Sequence, residues 1–186
     1  ASFVGIGAYF VAIGAIDYEL APWWSILLAV AAAMVLALFW GRLTFRLHGA
    51  YFTLSTIAIA EILRLIAINE NWLTGGATGV FISTLPSPFG IDLFDRLTQF
   101  YLALAFALGV IGTVIWISRS RFGYQLRAVR EDENSAMAAG IDPTRIKLKA
   151  FMLSSGLTAI GGGIYGMRRS FLEPHMLFFL LLSVQI

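Results

Sequence analysis

APWWSILLAVAAAMVLALFW, residues 21–40, runs for twenty residues without a charged side chain, and its reading decides the fold. A hydrocarbon core about 30 Å thick, crossed at 1.5 Å per residue, needs about 20 apolar residues. The run is therefore long enough to span a bilayer. QFYLALAFALGVIGTVIWIS, residues 99–118, has the same length and again no charge. Working outward, Gly49–Ile68 and Leu148–Met167 read as further spans and Ser2–Ile16 as a shorter one. A sixth run begins near Met176 and continues as LFFLLLSVQI to the last residue. The expected fold is an all-α, polytopic membrane bundle of five near-complete spans and a truncated sixth.

Composition agrees with that reading. Of the 186 residues 59% are hydrophobic and 13% charged, against about 25% charged residues in ordinary soluble domains. Mean hydropathy is +0.80. With no cysteine, a disulfide scaffold, a thiolate metal site and a cysteine nucleophile are excluded. The opening residues, ASFVGIGAYF, have no initiator Met, no basic n-region and no small-residue cleavage site, so they do not form a signal peptide. Both ends read as cut within apolar runs, unless a mature or engineered terminus happens to be apolar.

Net charge is only +2, so nucleic acid is not an indicated partner and the position of the charges matters more than their sum. Nine of the thirteen Lys and Arg residues fall on one side of the spans: Arg42 and Arg46 in one link, and Arg119, Arg121, Arg127, Arg130, Arg145, Lys147 and Lys149 in another. The positive-inside rule makes this basic side cytoplasmic. Arg96, Arg168 and Arg169 lie on the opposite side, against the rule. Trp23, Trp24, Trp40, Trp72 and Trp116 all fall at span ends, where an indole ring can meet water.

Two links are long. The outer one, residues 69–98, contains Thr74, Gly75 and Gly76, then Gly79, a polar turn that either exposes backbone N–H groups to an anion or reverses the chain. The inner one, residues 119–147, carries helix formers after Gly123, the charged run RAVREDE, small residues at Ala136, Ala138 and Ala139, and Gly140 as a stop before Asp142-Pro143. That pattern predicts one short amphipathic helix on the cytoplasmic surface. It is either a solvated loop obeying the topology rule or a docking helix for a cytoplasmic partner.

Within the spans, Glu61 and Arg64 stand three residues apart and can pair on one face. Thr53, Thr56, Ala60, Glu61 and Arg64 share a wedge of about 140° at about 100° per residue. This face lines a translocation path, or it holds a structural ion pair whose Arg64 snorkels to the outer end. In Leu148–Met167, Ser154, Thr158, Gly162 and Gly166 recur every fourth residue beside Ser155, Ala159 and Gly163, a small-xxx-small packing seam; Ala29, Ala33 and Ala37 form a weaker one. No phosphate-loop, zinc-protease or metal-ligand motif is present, and His48 and His175 lie on opposite sides of the membrane. These residues point away from an enzyme, towards transport driven by an ion gradient or by a nucleotide-hydrolysing partner.

The inner loop with its flanks, SRFGYQLRAVREDENSAMAAGIDPTRIKLKAF, closely resembles the cytoplasmic signature of the permease subunits of branched-chain amino-acid ABC transporters of the LivM type. GAYFTLSTIAIAEILRL, LTGGATGV and GAYF at Gly7–Phe10 resemble further blocks of that family, in its order, so the resemblance covers most of the chain. It implies an ABC importer transmembrane domain in a bacterial inner membrane, with residues 1–186 as part of a longer permease. The implied partners are a second permease, two cytoplasmic ATPase subunits that bind the ATP and an extracytoplasmic binding protein; the chain itself holds no cofactor. The coupling motif of such importers, EAA followed by Gly, matches in position the segment around Asn134, Ser135, Ala136 and Gly140, with Asn134 and Ser135 where the motif has Glu and Ala and with Glu131, Asp132 and Glu133 supplying acid just upstream; Arg130, Glu131, Asp132, Glu133, Ala136 and Gly140 are the implied coupling residues. Thr53, Thr56, Glu61, Arg64, Ser154 and Thr158 are the candidate path residues. A urea or short-amide permease, an ion-coupled secondary transporter and a structural membrane subunit remain as alternatives.

Overall fold

The computed structural model describes residues 2–16, 21–45, 50–70, 80–81, 95–168 and 171–172. Its elements are α1 (Ser2–Ile16), α2 (Pro22–Thr44), α3 (Ala50–Asn69), β1 (Val80–Phe81), α4 (Arg96–Ser118), α5 (Arg121–Glu131), α6 (Glu133–Ala138), α7 (Pro143–Arg168) and β2 (Phe171–Leu172). The five apolar runs all form helices. α2 starts on Pro22, whose missing N–H costs nothing in a first turn. α4 starts on Asp95, whose carboxylate accepts the Thr98 N–H at 3.3 Å. α7 begins five residues before its apolar run because Asp142 accepts the Arg145 N–H at 3.2 Å and Pro143 sets the first turn. Arg145, Lys147 and Lys149 are thereby carried into the helix.

α7 is the axis, with α1 and α2 packed along it and α3 resting on α1 and α2. Lipid supplies no hydrophobic force between helices, so contact depends on how closely backbones approach. Here they touch. A Cβ on Gly7 of α1 would run into the Ala159 carbonyl of α7, and one on Gly162 into the Val4 carbonyl of α1; one on Gly166 would lie 2.9 Å from the Ala8 Cα. On the α2 side, a Cβ on Gly163 would lie 2.9 Å from the Ile26 Cγ1, and Ala29, Ala33 and Ala37 are fully buried. The buried stripe of α7 runs through Ser155, Gly156, Ala159, Gly162, Gly163 and Gly166. Ser154 and Thr158, placed in the seam by their spacing, lie beside it instead, Ser154 exposed and Thr158 half-buried.

Among the described residues, α2 and α4 are long and apolar enough to cross a membrane. α1 is shorter, and the glycines and serines of its seam dilute the apolarity of α7. α4 has no buried residue at all. The run from Met176 lies outside the described residues.

Two features depart from the sequence reading. The inner loop is two helices, not one, because Asp132 takes an extended conformation (φ −156°, ψ 120°), ending α5 and capping α6. A two-residue antiparallel ladder pairs Val80 with Leu172 and Phe81 with Phe171. It ties the loop after α3 to the chain leaving α7, two segments the charge pattern assigns to the same side.

Because the α1–α7 contact is backbone on backbone, Gly7→Ala and Gly162→Ala overpack it and are expected to cost about 1–3 kcal/mol each. Gly112→Ala, with nothing within 4 Å of the new methyl, is expected to leave stability unchanged or slightly raised. Thermal unfolding of the detergent-solubilised protein checks the contrast.

Candidate functional site

The basic side carries a compact helical unit. Val129 of α5, Ala136 of α6 and Ile146 of α7 are buried together, with Phe122, Leu126, Ala128 and Ile141 packed around them. The amphipathic pattern of RFGYQLRAVRE turns Val129 inward, while Arg130 and Glu131 stay exposed. Ser120 caps α5, accepting the Gly123 N–H at 3.3 Å and donating to the Ile117 carbonyl at 2.6 Å. Arg127 reaches back to the Ser118 carbonyl at 3.3 Å. α5 is thus bonded to the last turn of α4.

α6 is stapled at both ends. The Asp132 carboxylate accepts the Ser135 N–H at 2.6 Å. At the other end Gly140 takes φ +80°, the Gly140 N–H donates to Met137 at 2.9 Å and the Ile141 N–H to Ala136 at 3.0 Å. That is the Schellman pattern, in which a left-handed glycine satisfies the last helical carbonyls. Lys147 of α7 donates to Glu133 at 2.5 Å, tying α6 to the start of the long helix.

Of the six coupling candidates, Arg130, Glu131, Asp132, Glu133 and Gly140 are exposed on this unit, whereas Ala136 is buried in its core. Ala136 therefore supports the segment and is not part of its surface. Met137, 53% exposed at the tip between Asn134 and Ala139, was not singled out by the sequence. The signal was there: an i, i+4 pattern that turns Ala136 inward turns Met137 outward.

The path candidates fall into two groups. Glu61 and Arg64 pair on α3, with the Arg64 Nε 3.0 Å from both carboxylate oxygens. Leu63 and Ala67 seat the helix on the main core. Thr56 is half-buried, and the Thr53 side chain lies outside the described residues, as do Thr74, Gly75, Gly76 and Gly79. Ser154 and Thr158 are on α7, where the Thr158 hydroxyl donates to the Ser154 carbonyl at 2.7 Å. At helical spacing they share a face with Gly161 and Tyr165, which line a cleft of about 750 Å³ between α7 and α4. Among the described residues no group of His, Cys, Asp or Glu could hold a metal ion.

The family model for the branched-chain amino acid transport system / permease component matches residues 1–186. The high-affinity branched-chain amino acid transport system permease protein LivM of Salmonella typhimurium is 30% identical over 92% of the chain and 46% of its own length. LivM of Escherichia coli is 28% identical over the same shares. The ribose import permease protein RbsC of Bacillus subtilis is 26% identical over 66% of the chain and 36% of its own length. The chain spans about half the length of the LivM relatives. No solved structure matches it.

The hydrogen bond from the Ser135 backbone N–H holds the Asp132 carboxyl below the usual aspartate range. The cap is therefore in place at neutral pH and lost only as the pH falls through that depressed value. Carboxyl NMR titration is expected to give an Asp132 midpoint below the ordinary aspartate value. Asp132→Ala is expected to speed amide exchange at Ser135, while Asp132→Asn, which caps equally well, retains protection.

Proposed function

Since the chain belongs to the family of branched-chain amino acid transport system permease components, we propose that it is part of the membrane-spanning permease of an ATP-driven ABC importer in a bacterial inner membrane. In this reading α1, α2, α3, α4 and α7 are five spans and the run from Met176 begins a sixth. A second permease completes the path, an extracytoplasmic binding protein delivers substrate, and two cytoplasmic ATPase subunits bind and hydrolyse the ATP. The chain is a transport component and contributes no catalytic residue.

One observation carries the proposal: the α5–α6 unit has an apolar core of its own, and Ile146 of that core belongs to α7, the helix on which α1 and α2 pack. A push on α6 is then delivered to the bundle along a single rigid element. Glu131, Asp132, Glu133 and Met137 form the exposed tip that seats in a groove on the ATPase; Arg130 and Gly140 flank it, and Ala136 holds it from behind. When the ATPase dimer closes, the tip moves with it. α7 then tilts against α1, where glycine meets backbone with no side chain between them to interlock, and against side chains of α2 such as Ile26 and Met34.

The substrate path follows the Ser154–Thr158 face of α7. Glu61 and Arg64 already neutralise one another, which favours a packing role on α3 over a titrating one and counts against an ion-coupled transporter. Branched-chain amino acids are the proposed cargo, on the strength of the LivM relatives' names. A ribose permease among the relatives shows that related chains carry names with other substrates, and urea or a short amide is the second choice.

The test uses the complete transporter in proteoliposomes and the double variant Glu131→Arg with Met137→Asp, two exposed positions outside the unit's core. Uptake of labelled leucine is expected to fall about tenfold, the equivalent of about 1.4 kcal/mol of docking energy, while ATP hydrolysis persists. Unchanged uptake would sink the coupling role. Uptake that follows an ion gradient without ATP would overturn the importer reading.

A further inference from the structure

Arg96 and Arg168 break the positive-inside rule, and the structure brings both to one place. They sit at the first residue of α4 and the last of α7, on the rim of the cleft of about 750 Å³ between those helices. Neither has an ion-pair partner among the described residues. Below the rim the walls are mostly apolar, with Phe100, Ala103 and Phe106 from α4 and Gly161 and Ile164 from α7, and with Gln99 and Tyr165 as polar lining. Gly161 keeps the cleft deep, since a Cβ there would come within 3.1 Å of the Phe106 ring. No residue of α4 is buried by the other described elements.

We propose that this cleft holds an anionic phospholipid of the leaflet opposite the basic side, its phosphate between Arg96 and Arg168 and one acyl chain between α4 and α7. The chemistry is complementary at both ends. A planar guanidinium gives paired, charge-assisted hydrogen bonds to phosphate oxygens, and the Thr98 hydroxyl on the rim is a further donor. The Asp95 carboxylate, which accepts the Thr98 N–H at 3.3 Å, offsets the positive end of the α4 dipole, so the attraction rests on the two guanidiniums. The volume is within the roughly 300–1,000 Å³ of small-molecule sites, and the mostly apolar wall suits a hydrocarbon chain where a small free anion would leave it empty. The lipid would join α4 to α7 beyond Ser154 and Thr158, which do not line the cleft, and its binding is independent of which substrate is carried.

The test is photolabelling of the full-length permease, purified in its assembled complex and placed in phosphatidylcholine nanodiscs. The probe is a trace of phosphatidylglycerol with a diazirine in its acyl chain. Label is expected on residues 100–106 and 161–164, competed by unlabelled phosphatidylglycerol but by neither phosphatidylcholine nor glycerol 3-phosphate. Arg96→Gln with Arg168→Gln is expected to reduce it about tenfold or more, as the loss of charge-assisted hydrogen bonds implies, while Arg96→Lys with Arg168→Lys keeps most of it. Equal labelling by a phosphatidylcholine probe would overturn the proposal in favour of ordinary surrounding lipid. Competition by glycerol 3-phosphate alone would overturn it in favour of a free-anion site. An unlabelled cleft that cross-links instead to residues 173–186 or to the second permease would overturn it in favour of a protein occupant.

Discussion

Everything in the bundle depends on the contact between α1 and α7, where glycine faces carbonyl with no side chain between them. In water two such helices would be held by excluding solvent from apolar surface. In lipid that force is absent, and dispersion across a close interface must replace it. Dispersion falls off steeply with separation, so a methyl at Gly7 or Gly162 would do more than crowd one atom: it would lift one helix away from the other along several turns. α2 adds its alanine stripe to the same groove, and α3 reaches the core through Leu63 and Ala67 of its one packed face.

In the proposed importer the same helix would also carry the mechanical signal. α7 is 26 residues long, more than a span requires. Its first turns belong to the basic-side unit, its middle to the glycine seam and its far end to the cleft with α4. The extra turns exist because Asp142-Pro143 starts the helix early, in a stretch whose Arg and Lys side chains would mark it as loop to a hydropathy reading. A helix that began at the apolar boundary would leave Ile146 outside it and the α5–α6 core without its third wall.

The helices were legible because bilayer thickness imposes a length on apolar runs; all five runs are helices whose starts and ends lie within about five residues of those expected, and two of them, α2 and α4, are long and apolar enough to cross a membrane. The glycine seam was legible as a period of small residues, but its register was not. Two adjacent four-residue series, Ser154–Thr158–Gly162–Gly166 and Ser155–Ala159–Gly163, are equally small, and the packing of α1 and α2 buries all of the second but only Gly162 and Gly166 of the first. The split at Asp132 was hidden for another reason. Arg130 to Ser135 are helix-compatible one by one, and the break comes from Asp132 capping a helix behind it. The ladder between residues 80–81 and 171–172 joins segments far apart in the chain, with no local pattern to announce it. The cleft was legible only as an anomaly, two arginines on the wrong side.

The basic-side unit has another consequence, in time as well as in space. Its core is three buried side chains, Val129, Ala136 and Ile146, under a thin apolar edge, far less than the bundle beside it. Regions with so few buried contacts open well before the structure as a whole. In the proposed importer the ATPase would cover α5 and α6, so the local stability of this small core would depend on assembly.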